Sequence, residues 1–403
     1  MFFTNDSEVV NLSKNVVKNQ HYVSEFILKN FANEKQQVFE CILSDKKVYL
    51  TNTNRSMSSK NTYEHDKLEQ NTLENYFSKI ESRVAPSIQK IIAILEDPEV
   101  DIREAFKIIE KHLSELLIFY YRSGALLHEY TAQYDPVTNE DKIEVLIKKI
   151  IDSKYLENLK STIINNYEWT IIKSKNNDFL LSDQYLSTAA LSPKARFLNI
   201  TNRHMGLKDV IILIPLSSKY YFTFYNGKKP DYIKKESICY LNFDQTTEVN
   251  IAILNNSYNK CISPVENMLS SILPEYNRTM PLGAIAKYSS SGYSQIKLKK
   301  EVFYYKEDKE AFDFFTSFRF MRYKTLKRNQ MCICESGLKY KKCCLKYVVI
   351  AERMTNDIRN NVNPLIYFAN PNNIIEQSID EVFNYEEPKL LKDLRKAKMR
   401  NGK

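Results

Sequence analysis

Hydrophobic residues recur at helical spacing through most of the first 165 residues of the chain. These apolar stripes predict helices at residues 21–31, 68–84, 102–121 and 140–165. Pro86 is expected either inside the second stripe, as a kink, or at the start of the next segment. Residues 38–51 break the helical pattern and predict a β-hairpin, and the polar residues 51–62 that follow predict a loop.

The pattern changes in the second part of the chain, where β-branched and aromatic runs are bounded by turn residues. Such runs predict strands at residues 169–174, 179–182, 210–216 and 220–225. Further helices are predicted near 245–258, at 309–327 and at 346–361. We therefore expect an α+β fold, a helix-rich body with a small mixed or antiparallel sheet, followed by a small knuckle and a helical tail.

Composition narrows the function classes. The 403 residues include 43 % hydrophobic and 27 % charged residues, which indicates a folded chain with room for two or three domains. Only seven glycines occur, and neither GxGxxG nor GxxxxGK[ST] is present, which argues against dinucleotide and P-loop chemistry. No apolar run predicts a membrane span and no hydrophobic signal core is found, so we expect a cytoplasmic protein without membrane contact.

Positive charge is concentrated near the C-terminus. Residues 319–346 contain nine basic residues and one acidic residue, and residues 389–403 contain seven basic residues and one acidic residue. The rest of the chain carries a net negative charge. The expected units are a body (1–318), a basic knuckle (319–346) and a helical basic tail (347–403). The side chains expected to dock nucleic acid, a ribosome or a protein partner are Arg322, Lys327, Arg328, Lys339, Lys341 and Lys342. The alternative is an ordinary solvated, charged face.

Four of the seven cysteines fall within 13 residues, at Cys332, Cys334, Cys343 and Cys344. Two such pairs, joined by a short loop with Gly337, can close a tetrahedral shell around Zn²⁺. A disulfide or a redox dithiol is the alternative, and four clustered thiols in a cytosolic setting disfavour it. The remaining cysteines are expected to be ordinary buried thiols: Cys41, Cys239 and Cys261.

The segment 332–344, Cys-Ile-Cys-Glu-Ser-Gly-Leu-Lys-Tyr-Lys-Lys-Cys-Cys, resembles the SEC-C motif. This motif is the zinc-binding knuckle at the carboxy terminus of the SecA export motor and of many unrelated bacterial proteins. Glu335 stands where the motif usually has Gly, which concerns the turn and not the ligands. The resemblance implies that the four cysteines hold a structural Zn²⁺ and that the knuckle binds proteins or the ribosome.

Residues 20–31, Gln-His-Tyr-Val-Ser-Glu-Phe-Ile-Leu-Lys-Asn-Phe, resemble the HYVPxFYLRNF opening of a large bacterial family of unknown function. Further segments that match this family follow in the same order along the chain: residues 73–75 and 80–81, Arg122, residues 179–183 and residues 214–217. The resemblance therefore spans about residues 15–270. The chain departs from this family at Ser24, usually Pro, and at 184–185, where Gln-Tyr replaces the usual Asn-Pro. The resemblance implies no established activity.

The candidate catalytic set in the body is His21, Glu81, Arg122, Ser182 and Asp183. In a phosphodiester-cleaving site, the His would act as general base or ligand, the carboxylates would hold Mg²⁺ or Mn²⁺, and the Arg would meet the anionic transition state. In the structural alternative, the His caps or packs the first helix, Glu81 pairs with Arg122, and the Ser-Asp pair makes a turn. Ser182 lacks a GxSxG motif, and His112 is expected to pack in the core.

Three functions follow from these features. The first, which we prefer, is a metal-dependent nuclease in the body with the knuckle as its docking arm; modular analogy suggests an effector of the toxin or phage-defence type. The second is a non-catalytic adaptor that binds a protein or a ribosome through the knuckle. The third is a receptor for a small anionic ligand, with Arg122 as the clamp.

Overall fold

Two β-sheets and the helices that cover them build the N-terminal part of the chain. The computed structural model describes residues 19–123, 138–152, 154–192, 205, 209–276, 283–289, 292–297, 302–316 and 319–361. None of the helices in these ranges is long and apolar enough to cross a membrane.

The α-helices, in chain order, are α1 (Glu25–Asn30), α2 (Thr72–Glu96), α3 (Arg103–Arg122), α4 (Asn139–Val145), α5 (Tyr155–Asn166), α6 (Phe243–Asn256), α7 (Glu266–Ile272), α8 (Lys306–Thr316) and α9 (Leu345–Asn361). A π-helical turn, Leu146–Ile151, continues α4. Shorter 3₁₀ turns occur at Leu273–Glu275, Arg319–Tyr323 and Tyr340–Lys342.

The strands, in chain order, are β1 (Asn19–His21), β2 (Gln37–Ile42), β3 (Lys47–Asn52), β4 (Ser58–Lys60), β5 (Glu168–Ser174), β6 (Leu181–Ser182), β7 (Ser187–Ala190), β8 (Val210–Pro215), β9 (Tyr220–Asn226), β10 (Ile238–Leu241), β11 (Lys260–Ser263), β12 (Gly283–Ser289) and β13 (Gly292–Lys297). The larger sheet has the order β10-β5-β9-β8-β7 and is antiparallel except for the parallel pair β10–β5. The second sheet, β3-β2-β11-β6, is antiparallel throughout. The pairs β1–β4 and β12–β13 are separate ribbons.

Helices cover the larger sheet on both faces, which explains why β8 is buried along its whole length. On one face, Phe106 of α3 stacks on Trp169 of β5 with the ring centroids 5.1 Å apart. On the other face, Thr246 of α6 lies within hydrogen-bond distance of Ser174 at the end of β5, with 3.2 Å between the hydroxyl oxygens. The body core therefore lies between this sheet and the helices on either side of it.

A second, smaller hydrophobic cluster contains the C-terminal segment. Its buried members are Ala190, Phe303, Phe312, Phe315, Phe320, Tyr323, Cys332, Tyr340, Cys344, Val348, Ala351 and Met354. Helix α8, which lies before the predicted boundary at residue 318, contributes Phe312 and Phe315 to this cluster. The residues from Phe303 to Met354 are called the C-terminal module below; the domain boundaries themselves stay predictions.

Residues 302–304 connect the two clusters. The N–H of Ala190 donates to the carbonyl of Val302 at 2.8 Å, and the N–H of Tyr304 donates to the carbonyl of Ala190 at 2.9 Å. Val302 and Tyr304 belong to the body core, while Phe303 belongs to the second cluster. This alternation follows from extended backbone, in which successive side chains point to opposite sides.

The predicted fold class is confirmed, and several element boundaries differ from expectation. The first helix begins at Glu25 because residues 19–21 pair with residues 58–60, which places a strand inside the predicted loop 51–62. The predicted helix 140–165 is divided by the π-helical turn, and α2 runs through Pro86 to Glu96. In place of the predicted helix 309–327, α8 ends at Thr316 and a 3₁₀ turn follows at Arg319–Tyr323. Residues 362–403 of the predicted tail lie outside the described residues.

Candidate metal centre and polar clusters of the body

The four clustered cysteines converge on one point, with all four Sγ atoms within 4.8 Å of one another. The Sγ atom of Cys334 lies 3.4 Å from that of Cys332 and 3.3 Å from that of Cys343. The Sγ atoms of Cys343 and Cys344 are 3.7 Å apart. Four sulfurs at about 2.3 Å from a tetrahedral Zn²⁺ would be about 3.8 Å apart. The thiols are free, and their spacing fits a Cys₄ zinc site.

A tight turn joins the two cysteine pairs. The N–H of Cys332 donates to the carbonyl of Leu338 at 2.8 Å and closes the turn. Within it, Glu335 (φ +64°) and Gly337 (φ +70°) both adopt left-handed backbone. Glycine adopts this conformation freely, whereas a residue with a side chain pays about 1–2 kcal/mol. The departure from the usual Gly at position 335 therefore leaves strain in the turn, while the four Sγ atoms still converge.

A serine and the second hydrophobic cluster surround the sulfurs. The Ser336 Oγ atom lies 3.1 Å from the Sγ atom of Cys343. Hydrogen bonds from Ser336 and then from the neighbouring Cys343 lower the pKa of the Cys334 thiol to about 6. A thiolate at neutral pH is the form that a metal ion binds. On the inner side, Cys332 and Cys344 are buried in the second hydrophobic cluster.

The outer side of this knuckle is basic. All the side chains predicted to dock a partner are exposed: Arg322, Lys327, Arg328, Lys339, Lys341 and Lys342. The N–H of Lys341 donates to the carbonyl of Arg328 at 3.0 Å, which brings these two residues from opposite sides of the turn together. Within the described part of the chain, none of the six forms an ion pair. We call these six residues the basic edge.

Three of the five candidate body residues come together around Arg122, which is 1 % exposed. Its Nη1 atom donates to Glu81 Oε1 at 2.7 Å, and its Nη2 atom donates to the backbone carbonyl of His21. The centre of the guanidinium lies 4.7 Å from the ring centroid of Phe77. The ion pair of the structural alternative is thus present, and the Arg holds an internal carboxylate.

The imidazole of His21 points to a different partner. Its Nε2 atom lies 3.2 Å from the carbonyl oxygen of Thr53. Burial lowers the pKa of this His below its usual 6.5, although the bond to Thr53 and the charge of Glu25 act in the opposite direction. A neutral imidazole that donates to a backbone carbonyl favours the structural alternative, in which His21 packs beside α1. The catalytic role of His21 stays a prediction.

Ser182 and Asp183 form a second, separate polar cluster. The Asp183 carboxylate accepts hydrogen bonds from the N–H groups of Tyr258, Asn259 and Lys260 at 2.8, 2.7 and 2.8 Å. Burial raises the pKa of Asp183 to about 6, and these N–H groups oppose the shift. Among the described residues, no hydrogen bond or ion pair joins Ser182 or Asp183 to the cluster around Arg122. The five candidate residues are therefore not one contact network.

Sequence reasoning missed two polar arrangements. Glu40, 1 % exposed, forms an ion pair with Lys260 at 2.7 Å and accepts a bond from Ser56 Oγ at 2.6 Å. The local sequence around Glu40 does not predict this cluster, because Ser56 and Lys260 are distant from Glu40 along the chain. His112 is buried as expected, but it also contacts Glu115, three residues further along α3. The i, i+3 spacing of that pair was a usable signal.

Among the described residues, the four cysteines are the only group of three or more ligating side chains close enough to hold a metal ion. The Mg²⁺ or Mn²⁺ expected in the body thus stays a prediction. His65, between two acidic residues in the run Glu64-His65-Asp66, is not part of such a group among the described residues; its Nε2 atom lies 3.4 Å from Glu144 Oε1.

Comparison with known families confirms both sequence resemblances. The SEC-C motif matches residues 328–346, the segment that contains the four cysteines. No curated protein and no solved structure matches the chain. The sequence model of a family described as "Protein of unknown function (DUF4238)" matches residues 19–264, which is more than half of the chain and includes both polar clusters of the body. The chain therefore belongs to this DUF4238 family and carries a SEC-C motif with a cysteine cluster that fits zinc.

Proposed function

We propose that the chain is a docking protein whose zinc knuckle binds a nucleic acid, ribosomal RNA included, through the basic edge. The observation that carries this proposal is the exposure of six Lys and Arg side chains without ion-pair partners in the described part of the chain. Cations that no internal carboxylate neutralises are available to phosphate groups.

The knuckle also favours docking over catalysis. Four cysteine ligands complete the coordination of a tetrahedral Zn²⁺ and leave no position for a reacting water. The metal would fix the turn, and the turn would fix the spacing of the basic side chains. Three exposed apolar side chains beside them, Met331, Ile333 and Leu338, add surface on which a base or a partner side chain can pack.

Fluorescence anisotropy with a labelled single-stranded RNA and a DNA duplex tests this function over a range of salt concentrations. We expect Lys341→Gln/Lys342→Gln to weaken binding about tenfold or more at low salt. The slope of log affinity against log salt should fall by about 0.7 for each lost contact to a single strand.

The matched control is Lys46→Gln/Lys47→Gln, which removes two adjacent exposed lysines where the β2–β3 turn meets β3 in the body. This control should bind like the parent. Equal affinity of the knuckle variant and the parent would reject the basic edge as the docking surface. Binding to an acidic protein but not to either nucleic acid would favour the adaptor function.

A second candidate function is metal-dependent cleavage of nucleic acid in the body, with a role as an effector of the toxin or phage-defence type. The contacts of Arg122 with Glu81 and with the backbone carbonyl of His21, which bring the three residues to one place, support it. Its weakness is that the guanidinium is enclosed and already holds Glu81. Incubation of labelled RNA and DNA with Mg²⁺ or Mn²⁺ should then give cleavage that EDTA and His21→Ala abolish. Cleavage that persists in His21→Ala would reject this site.

A further inference from the structure

Packing of α2 against α3 aligns three side chains whose chemistry the functions above do not use. Ser87 Oγ lies 3.1 Å from His112 Nε2, and His112 Nδ1 lies 2.5 Å from Glu115 Oε2. The other carboxylate oxygen of Glu115 accepts from Arg83 Nη2 at 2.6 Å and from Arg83 Nε at 3.0 Å. A hydroxyl, an imidazole and a carboxylate thus follow one another in hydrogen-bond contact.

The order of these contacts assigns the proton positions. A carboxylate only accepts hydrogen bonds, so the Nδ1 atom of neutral His112 must carry the proton that faces Glu115. The Nε2 atom then presents its lone pair to Ser87 Oγ. This is the tautomer that lets an imidazole take a proton from a serine hydroxyl. Glu115 is itself fixed by Arg83, which limits rotation of the carboxylate.

The surroundings of the serine suit a reaction at the protein surface. Ser87 is half-buried, and the side chain of Glu115 is 20 % exposed, so the row opens to solvent at its edge. Arg83 and Lys90 lie four residues before and three residues after Ser87 on α2, which places both cations on the same side of the helix. Because Arg83 is already bonded to Glu115, Lys90 is the cation that would stabilise an oxyanion at an attacked carbonyl.

We propose that Ser87 is the nucleophile of a Ser–His–Glu relay that accepts acyl groups from activated esters. Ser87 Oγ forms a bond to the carbonyl carbon while His112 Nε2 takes the hydroxyl proton. The ester C–O bond then breaks, and the same proton passes to the leaving alcohol. Water hydrolyses the acyl-serine with His112 as base, which releases the carboxylic acid and restores the hydroxyl. Glu115 is the positioning residue, because it acts through His112.

The Ser87 hydroxyl has a second possible hydrogen-bond acceptor besides His112. Ser87 Oγ also lies 3.0 Å from the carbonyl oxygen of Arg83, to which a helical serine can donate its only proton. In that state the row is a polar bridge between two helices, without a nucleophile. A reagent that reacts only with an activated serine distinguishes the two states.

The test is labelling of the full-length chain with a fluorophosphonate probe, followed by peptide mapping and by hydrolysis of p-nitrophenyl acetate. We expect the label on Ser87, no such label in Ser87→Ala, and a rate about 100-fold lower in His112→Gln. Glu115→Gln keeps the size of the side chain and should lower the rate about tenfold or more, while Glu115→Asp restores part of it.

The matched control is Ser82→Ala, since Ser82 is an exposed serine of the same helix whose hydroxyl donates to the backbone carbonyl of Lys79. This variant should be labelled like the parent. Thermal unfolding of each variant is the control for loss of the fold. Absence of label on Ser87 in the folded parent, or equal labelling of the parent, His112→Gln and Glu115→Gln, would overturn the proposal.

Discussion

Glu335 shows what a single residue contributes at the knuckle. Its left-handed backbone costs about 1–2 kcal/mol relative to glycine, and the greater freedom of glycine in the unfolded chain offsets about 0.4–1 kcal/mol of this. We expect Glu335→Gly to bind Zn²⁺ about two- to fivefold more tightly, as measured by competition with a chelating dye. Gly337→Ala should act in the opposite direction, although its added Cβ meets no atom within 4 Å. Equal affinities in all three proteins would contradict this account of the turn.

His21 gives the body a dependence on pH. Burial lowers the pKa of its imidazole below 6.5, so the native state binds a proton less readily than the unfolded chain does. The contribution of this His to stability is complete above about pH 6.5 and is lost as the pH falls through the lower native pKa. We expect the free energy of unfolding in urea to fall more steeply from pH 7 to pH 5 in the parent than in His21→Gln. Identical slopes would show that this His does not contribute.

At the scale of elements, Arg122 ties the end of α3 to the middle of α2 and to β1. Glu81→Gln leaves the guanidinium buried without its counter-charge, and breaking a buried pair in this way costs about 3–5 kcal/mol. Because the Glu81 side chain is 28 % exposed, we expect about 3 kcal/mol, measured by urea unfolding.

The control for this prediction is Arg83→Gln on the same helix. Arg83 also forms an ion pair, at 2.6 Å, but its side chain is 55 % exposed, so the loss should stay below about 1 kcal/mol. Equal losses in the two variants would contradict the distinction between a buried and an exposed pair.

The sequence predicted those elements that carry a long periodic signal. Helices α2 and α3 have continuous apolar stripes, and β8 and β9 have β-branched or aromatic runs. Strand β7, Ser-Thr-Ala-Ala, has no such run, and it forms because β8 pairs with one of its edges and Ala190 is bonded to residues 302 and 304 on the other. Its pairing partners are distant in sequence, so no local pattern could reveal it.

The same difference applies to the sites. Four cysteines within 13 residues specify their own cluster, because the intervening chain is too short to separate them. The polar residues of the body are spread over more than 160 positions, and only the packing of the helices shows that Arg122 meets Glu81 while Asp183 meets a backbone turn. Likewise, Ser87 and His112 become neighbours only when α2 and α3 pack.

At the scale of the whole molecule, the two hydrophobic clusters predict different responses to metal removal. Cys332 and Cys344 belong to the second cluster, whereas Trp169 stacks on Phe106 in the body. We expect a zinc chelator to increase amide hydrogen exchange within the C-terminal module, because a small metal-bound unit takes its folding energy from the metal. The fluorescence of the single tryptophan should stay constant.

The matched variant for metal removal is Cys343→Ser, which lacks one ligand and should show the increased exchange without any chelator. Chelator treatment that removes zinc but leaves the exchange of the module unchanged would contradict the coupling of metal and fold. A change in tryptophan fluorescence would show instead that the body depends on the metal.

Strand β7 is the last strand of the larger sheet. On its outer edge Ala190 is bonded to Val302 and Tyr304, and Thr188 is bonded to the side chain of Asn256. An uncovered edge strand presents free N–H and C=O groups to other chains and promotes aggregation. The segment that joins the body to the module thus covers the Ala190 end of this edge. A body that ends before Val302 would leave the N–H and C=O of Ala190 uncovered, so we expect a body that extends through Tyr304 to aggregate less.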